Sequence, residues 1–246
     1  MNNYLFPEQL ISLVLQTSAR IDGVLAKRKK KNLLIRSIYK KHGRYIKRFL
    51  NYNLFAEAFN QEFFLKNYLK ALLFFYTLHE FEYDLGTDIF DVGCGASPGG
   101  IAFSQIQQHF SRGVSGITLL DKSIIQLNLA KKYCSLNSVR INKSIKHTFC
   151  FNKTEYESMV FFSYFICEQE RRFIKSLYKH KELFAHGFAV VDYQHNINRI
   201  ERLFQNNGCY RIRSIYRCYL LPESLYLIFQ EKELFISGCY FEPLKY

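Results

Sequence analysis

The residues best placed to do chemistry lie in one run, Ile89-Phe-Asp-Val-Gly-Cys-Gly-Ala-Ser-Pro-Gly-Gly-Ile101. A short apolar stretch, 89–92, ends at the tight turn Gly93-Cys94-Gly95, and a helix-like segment follows to about residue 110. Glycine lets the backbone adopt φ > 0 and come close to a ligand. The free amides at the start of the following helix favour a carboxylate or a phosphate. The run therefore reads as a binding turn for an anionic or nucleotide-like ligand. Cys94 inside it has two readings, a nucleophile or a small loop filler, and no His lies near it in sequence to activate a thiol.

The elements around this turn follow from periodicity and breakers. Residues 1–85 read as helical, with almost no Gly or Pro and helical apolar spacing at Leu10, Leu13, Val14 and again at Phe59, Phe63, Phe64. The texture changes at Asp88. Strands are expected at 89–92, at 117–120 closed by Asp121, within 138–145, at 159–167 and at 188–193, with helices between them. Ser123 is placed to cap the helix 124–136. A helix at 198–206 stops at Asn207-Gly208. Two strand-like runs, 210–220 and 225–231, are joined through Pro222 and read as an antiparallel closing pair. Alternating β and α elements imply a mostly parallel sheet with helices on both faces. The organisation expected is a helical, basic module over 1–85 and an α/β domain over 86–246.

The turn resembles motif I of the class I S-adenosylmethionine-dependent methyltransferases, where D-x-G-x-G-x-G follows the first strand. Asp91, Gly93 and Gly95 match it, and the element order over 88–231 is similar to that family's. The resemblance implies a Rossmann-like fold with a mostly parallel seven-stranded sheet and a C-terminal antiparallel hairpin. It implies S-adenosylmethionine as cofactor, held by Asp91, Gly93, Cys94, Gly95, Ala96, Ser97, Asp121 and Lys122. Asp121 stands where the family's acid binds the ribose hydroxyls, and a carboxylate accepts two hydrogen bonds from a vicinal diol. The chain departs from the pattern in two places. Ser97 stands where the third Gly is usual, with Gly99-Gly100 after Pro98, and no acid closes the third strand at 142–147. A nicotinamide-binding turn, G-x-G-x-x-G, is a poorer match because Pro98 holds its last position.

In such a fold the end of the fourth strand faces the transferred methyl, which singles out Ser163 and Tyr164. Tyr164 either stacks on a base or packs in an aromatic-rich core, and Ser163 shares that alternative. There is no Asn/Asp-Pro-Pro-Tyr motif, so amino methylation of a base by that scheme is disfavoured. Glu168 is either part of this edge or a helix cap. His195 ends the fifth strand region and is either a base or a loop histidine.

Charge bears on the partner. The chain of 246 residues carries a formal net charge of +13, and +11 of it falls between Arg20 and Arg48. Lys27, Arg28, Lys29, Lys30, Lys31, Lys40, Lys41 and Arg44 form its dense part, with Tyr39, Tyr45 and Tyr52 interleaved. Such a block suits a polyanion, with Lys and Arg on phosphates and Tyr on unpaired bases. The alternative is a solvated helix face. A helical basic extension before a class I core is similar to RNA methyltransferases. One such group, which methylates 16S ribosomal RNA, has a C-G-x-x-P turn like Cys94-Gly95-Ala-Ser-Pro98. The resemblance implies RNA as partner, ribosomal RNA favoured. Two alternatives stay open: a small-molecule or protein methyltransferase, and a noncatalytic binding protein of the same fold.

Seven scattered Cys with no CxxC spacing and dispersed His predict neither a disulfide framework nor a metal site. The apolar runs 69–76 and 160–166 are too short to span a bilayer. A cytoplasmic location is expected from the lack of a secretion signal.

Overall fold

The computed structural model describes residues 3–25, 53–113, 116–147, 149, 151, 158–164, 171–206 and 208–244. In chain order the elements are β1 (Asn3–Leu5), α1 (Glu8–Leu25), α2 (Asn53–Glu80), β2 (Asp88–Val92), α3 (Pro98–His109), β3 (Gly116–Asp121), α4 (Ile124–Leu136) and β4 (Ile141–Lys146). They continue as β5 (Met159–Ser163), α5 (Arg171–Lys179), β6 (Phe188–Val191), α6 (Gln194–Phe204), β7 (Tyr210–Leu220), α7 (Glu223–Phe229) and β8 (Glu233–Pro243).

All eight strands form one sheet in the order β1-β7-β8-β6-β5-β2-β3-β4. Pairing is parallel except where β8 runs antiparallel to β6 and β7. The expected seven-stranded α/β sheet is present, and β1 adds an eighth strand parallel to the end of β7. The order of strands reverses between β2 and β5, which pair directly. Ligands of open α/β sheets sit in the crevice outside the strand ends at such a reversal.

The central strands are buried on both sides. Met159-Val-Phe-Phe of β5 and all four residues of β6 are buried, as expected for parallel strands covered by helices. Successive side chains of a strand point to opposite faces. Phe161, Ala189 and Val191 accordingly join the core under α1, α2, α3 and α4. Val160, Phe162, Phe188 and Val190 join the opposite core under α5 and α6. Each fully buried Phe or Leu contributes roughly 1.5–3 kcal/mol relative to exposure.

The N-terminal helices are built into the first of these cores. Leu10, Val14 and Ile21 of α1 are fully buried, one stripe of an amphipathic helix. The C-terminal half of α2 is buried nearly all round: Leu69, Ala71, Leu72, Leu73, Phe74 and Phe75 have no exposed surface. Phe75 packs on Phe161 of β5, with ring centroids 4.9 Å apart. A buried polar chain adds direction to this packing. Tyr68 Oη donates to Gln105 Oε1 at 2.5 Å, and Gln105 Nε2 donates to Thr17 Oγ1 at 3.0 Å. It ties α1, α2 and α3 together, and the partners are satisfied inside a low-dielectric core.

Two expectations are corrected. Residues 1–85 are not wholly helical, because residues 3–5 lie in register with residues 218–220 of β7. Three residues carry no periodicity, and only the distant partner makes them a strand. The run 225–231 is not a strand. Pro222 is the N-cap of α7, Glu223 lies in its first turn, and Leu225 and Phe229 bury one side at i, i+4 spacing. The partner of β7 is instead β8, from Glu233 onward. A short apolar run does not separate helix from strand by periodicity alone.

Candidate active site

The glycine turn lies at the C-terminal end of β2, beside the sheet's reversal. Gly93, Gly95 and Ser97 all have left-handed backbone, at φ 62°, 53° and 58°. Ser97 is the N-cap of α3 but does not cap it with its side chain. Its hydroxyl instead donates to Asp91 Oδ2 at 2.8 Å. The Gly100 amide donates to the same oxygen at 3.1 Å. Ser97 thus takes the backbone conformation that glycine would take in the motif and adds a donor to a carboxylate with no exposed surface. The following glycines are required by close approach. A Cβ on Gly99 would lie 2.2 Å from Phe161 Cε1, and one on Gly100 would lie 2.4 Å from Ser97 Oγ.

Asp121 ends β3 and is tied to the same turn. Its Oδ2 accepts from the Gly95 amide at 2.9 Å and its Oδ1 from the Ser123 amide at 2.8 Å. Two loops that follow different strands therefore meet on one carboxylate. Ser123 caps α4 as expected, accepting from the Gln126 amide. Gln126 Oε1 accepts from Asn60 Nδ2 of α2 at 3.0 Å and faces Gly95. Neither Asn60 nor Gln126 was legible as a site residue, since neither belongs to a motif. Lys122 is exposed next to Asp121.

The electrostatics follow from burial. Asp91 Oδ1 is buried with no hydrogen-bond partner among the described residues. Burial raises the Asp91 carboxyl to about 7; Ser97 and Gly100 oppose this, and Asp121 adds to it. Burial also raises Asp121, against the amides of Ser123 and Gly95. Cys94 is buried, and desolvation with the neighbouring Asp91 and Asp121 pushes its thiol well up. A thiol held protonated is a poor nucleophile, so the filler reading of Cys94 fits the geometry.

A second group of side chains gathers at the ends of β5 and β6. Ser163 pairs in register with Val191, and its Oγ is buried with no hydrogen-bond partner among the described residues. Tyr164 leaves the strand through left-handed backbone, φ 51°, and its amide donates to Val191 O at 2.8 Å. Its ring meets Tyr193 edge-on at 5.5 Å, and Tyr193 is stacked with His195 at 5.9 Å. Asp192 is buried and accepts from the Tyr193 amide and Asn196 Nδ2, so it anchors α6.

Lys27, Arg28, Lys29, Lys30, Lys31, Lys40, Lys41, Arg44 and Glu168 lie outside the described residues. Among the described residues no group of three His, Cys, Asp or Glu is arranged to hold a metal ion. No described helix is long and apolar enough to cross a membrane.

No protein-family model and no curated protein sequence matches the chain. Solved structures do. The magnesium protoporphyrin IX methyltransferase of Synechocystis PCC 6803, solved with bound SAM, is 14% identical with a TM-score of 0.50; the match covers 85% of this chain and 96% of that one. A candidate O-methyltransferase of Nostoc punctiforme is 15% identical with a TM-score of 0.51, over 76% of this chain and 59% of that one. With the strand order, the turn after β2 and the antiparallel β8, this likeness gives the chain the fold of the class I S-adenosylmethionine-dependent methyltransferases.

Proposed function

We propose that the chain is an S-adenosylmethionine-dependent methyltransferase and that its acceptor is RNA, with ribosomal RNA the favoured source. The observation that carries the cofactor half is the meeting of Gly95 and Asp121 at the sheet's reversal. The residues present fit the cofactor. Among the described residues a Cβ on Gly95 would meet only Gln126 Oε1, in ordinary contact at 3.8 Å, so the turn is not filled by a neighbouring side chain. Each Asp121 oxygen accepts one amide, and an ionised carboxylate has about four acceptor positions, which leaves room for a diol. Asp91, Gly93, Cys94, Gly95, Ala96, Ser97, Asp121 and Lys122 are the residues proposed to hold it.

When bound, the cofactor supplies an electrophilic methyl on a sulfonium. The chain's own task is then mainly to place the acceptor atom in line and to keep water away, since positioning alone removes much of such a barrier. Ser163 and Tyr164 end the strand beside the turn and are proposed to orient the acceptor. The RNA half is supported by the concentration of charge between Arg20 and Arg48. A polyanion bound there is released by salt.

The test is incubation of the purified protein with methyl-labelled S-adenosylmethionine and a total cell extract, then separation of RNA, protein and small molecules. Label in ribosomal RNA is expected. Label confined to protein or small molecules overturns the RNA half, and no label in any fraction overturns the activity.

A further inference from the structure

We propose that Lys70 is a substrate-binding residue: its ammonium, held over the ring of Tyr164 at the C-terminal edge of the sheet, takes a phosphate oxygen of the RNA strand beside the nucleotide presented for methylation. This rests on the RNA reading above and adds a residue of α2 that belongs to neither the glycine turn nor the basic run of the sequence.

The placement of Lys70 follows from three contacts along α2. Asn60 meets Gln126 in the first turn of α4, next to the end of β3. Lys66 pairs with Glu231 at 2.5 Å, just before β8 begins. Lys70 Nζ lies 5.3 Å from the centroid of the Tyr164 ring, just past the end of β5. The stretch of α2 from Asn60 to Lys70 thus runs along the edge where the strands of a parallel sheet present their ligands.

Among the described residues Lys70 makes no direct ion pair there. Glu231, the nearby acid, is already engaged by Lys66 one turn earlier. Lys70 has no ion pair and no hydrogen bond among the described residues, only the π-face of Tyr164. It is half-buried, and burial lowers its basicity while Glu231 partly restores it. A partly desolvated cation with no direct ion pair among the described residues is poised for an anionic ligand.

The surroundings select the anion. Tyr164 has left-handed backbone, and its amide N–H donates a hydrogen bond to Val191 O; such backbone in a non-glycine residue marks strain that the surrounding fold maintains. Lys70 takes one face of that ring. Tyr193, edge-on to Tyr164 and about half exposed at 51%, presents an aromatic surface on the same rim, with His195 stacked beyond it. A cation on one aromatic ring with a second, half-exposed ring beside it suits single-stranded nucleic acid, with the phosphate on the cation and a base on the exposed ring.

The experiment measures binding of a labelled mixed-sequence single-stranded oligoribonucleotide across a salt series, for the wild type, Lys70→Gln and Lys70→Arg. S-adenosylmethionine binding by calorimetry serves as the check that each variant is folded. Lys70→Gln is expected to weaken RNA binding severalfold and to reduce the slope of log affinity against log salt by about one, the loss of one phosphate contact. Lys70→Arg is expected to restore both. Coincident slopes for the wild type and Lys70→Gln overturn the proposal while leaving the RNA reading intact. A wild type that binds the oligonucleotide without salt dependence overturns the RNA reading and this proposal with it.

Discussion

The hydroxyl of Ser97 donates to the buried carboxylate of Asp91 across the turn that joins β2 to α3, at 2.8 Å. One residue therefore does two things, holding left-handed backbone and satisfying an acid that has no access to water. The two are separable by substitution. Ser97→Ala loses the donor and keeps the backbone strain, whereas Ser97→Gly loses the donor and relieves the strain. Removing a donor from a buried carboxylate costs about 1–3 kcal/mol, and left-handed backbone costs a non-glycine residue roughly 1–2 kcal/mol. Thermal unfolding is expected to rank the wild type above Ser97→Gly and Ser97→Gly above Ala. An alanine variant as stable as the wild type removes this account of Ser97.

Space rather than conformation decides the next case. A Cβ on Gly99 would lie 2.2 Å from Phe161 Cε1. That ring is fully buried and already packed on Phe75, so it has nowhere to yield. Gly99→Ala is expected to destabilise the protein by about 1–3 kcal/mol through overpacking. Among the described residues Gly113 has nothing within 4 Å of the same position, and Gly113→Ala is expected to stay within about 0.5 kcal/mol. Chemical denaturation of the two variants side by side checks the contrast; equal stabilities would mean α3 does not sit this closely on β5.

The Asp91 carboxyl gives stability a pH dependence. Its folded value, about 7, lies above its ordinary value of 3.8 because burial disfavours the charge. The folded state therefore holds the proton more tightly than the unfolded chain. The contribution is complete below the ordinary value and is lost as pH rises through the folded one, a span worth up to about 4 kcal/mol. Asp91→Asn carries no proton to lose. Relative to that variant, the wild type is expected to lose unfolding midpoint steadily from acid toward neutral pH and to level off above it. Parallel profiles for the two proteins would place the titration elsewhere.

Much of the scaffold was legible in the residues themselves. The turn 93–95, Asp121 and the cap Ser123 announce themselves through local chemistry, and 210–220 reads as a strand because its pattern is long enough to decide. The failures are of another kind. Residues 3–5 become β1 only through a partner more than 200 positions away, and 225–231 becomes α7 because its apolar run is too short to show a period. The role of Ser97 was hidden for a related reason: the motif describes which residue is usual there, not that its side chain reaches back to Asp91. Asn60 and Lys70 enter the site from α2 and Gln126 from α4; sequence reading set α2 apart from the sheet, while the core of the structure joins them.

Central to the account is that Asp121, pinned by the Gly95 and Ser123 amides, is an acceptor for the cofactor. Calorimetric titration of the purified protein with S-adenosylmethionine tests it most directly, with Asp121→Asn as the comparison, since the amide keeps the shape and loses one acceptor oxygen and the charge. Saturable one-to-one binding is expected for the wild type, weakened by about tenfold to a hundredfold in the variant, the value of hydrogen bonds to a charged group. Absence of binding by the wild type, or equal affinity in the two proteins, would contradict the assignment of this edge to the cofactor.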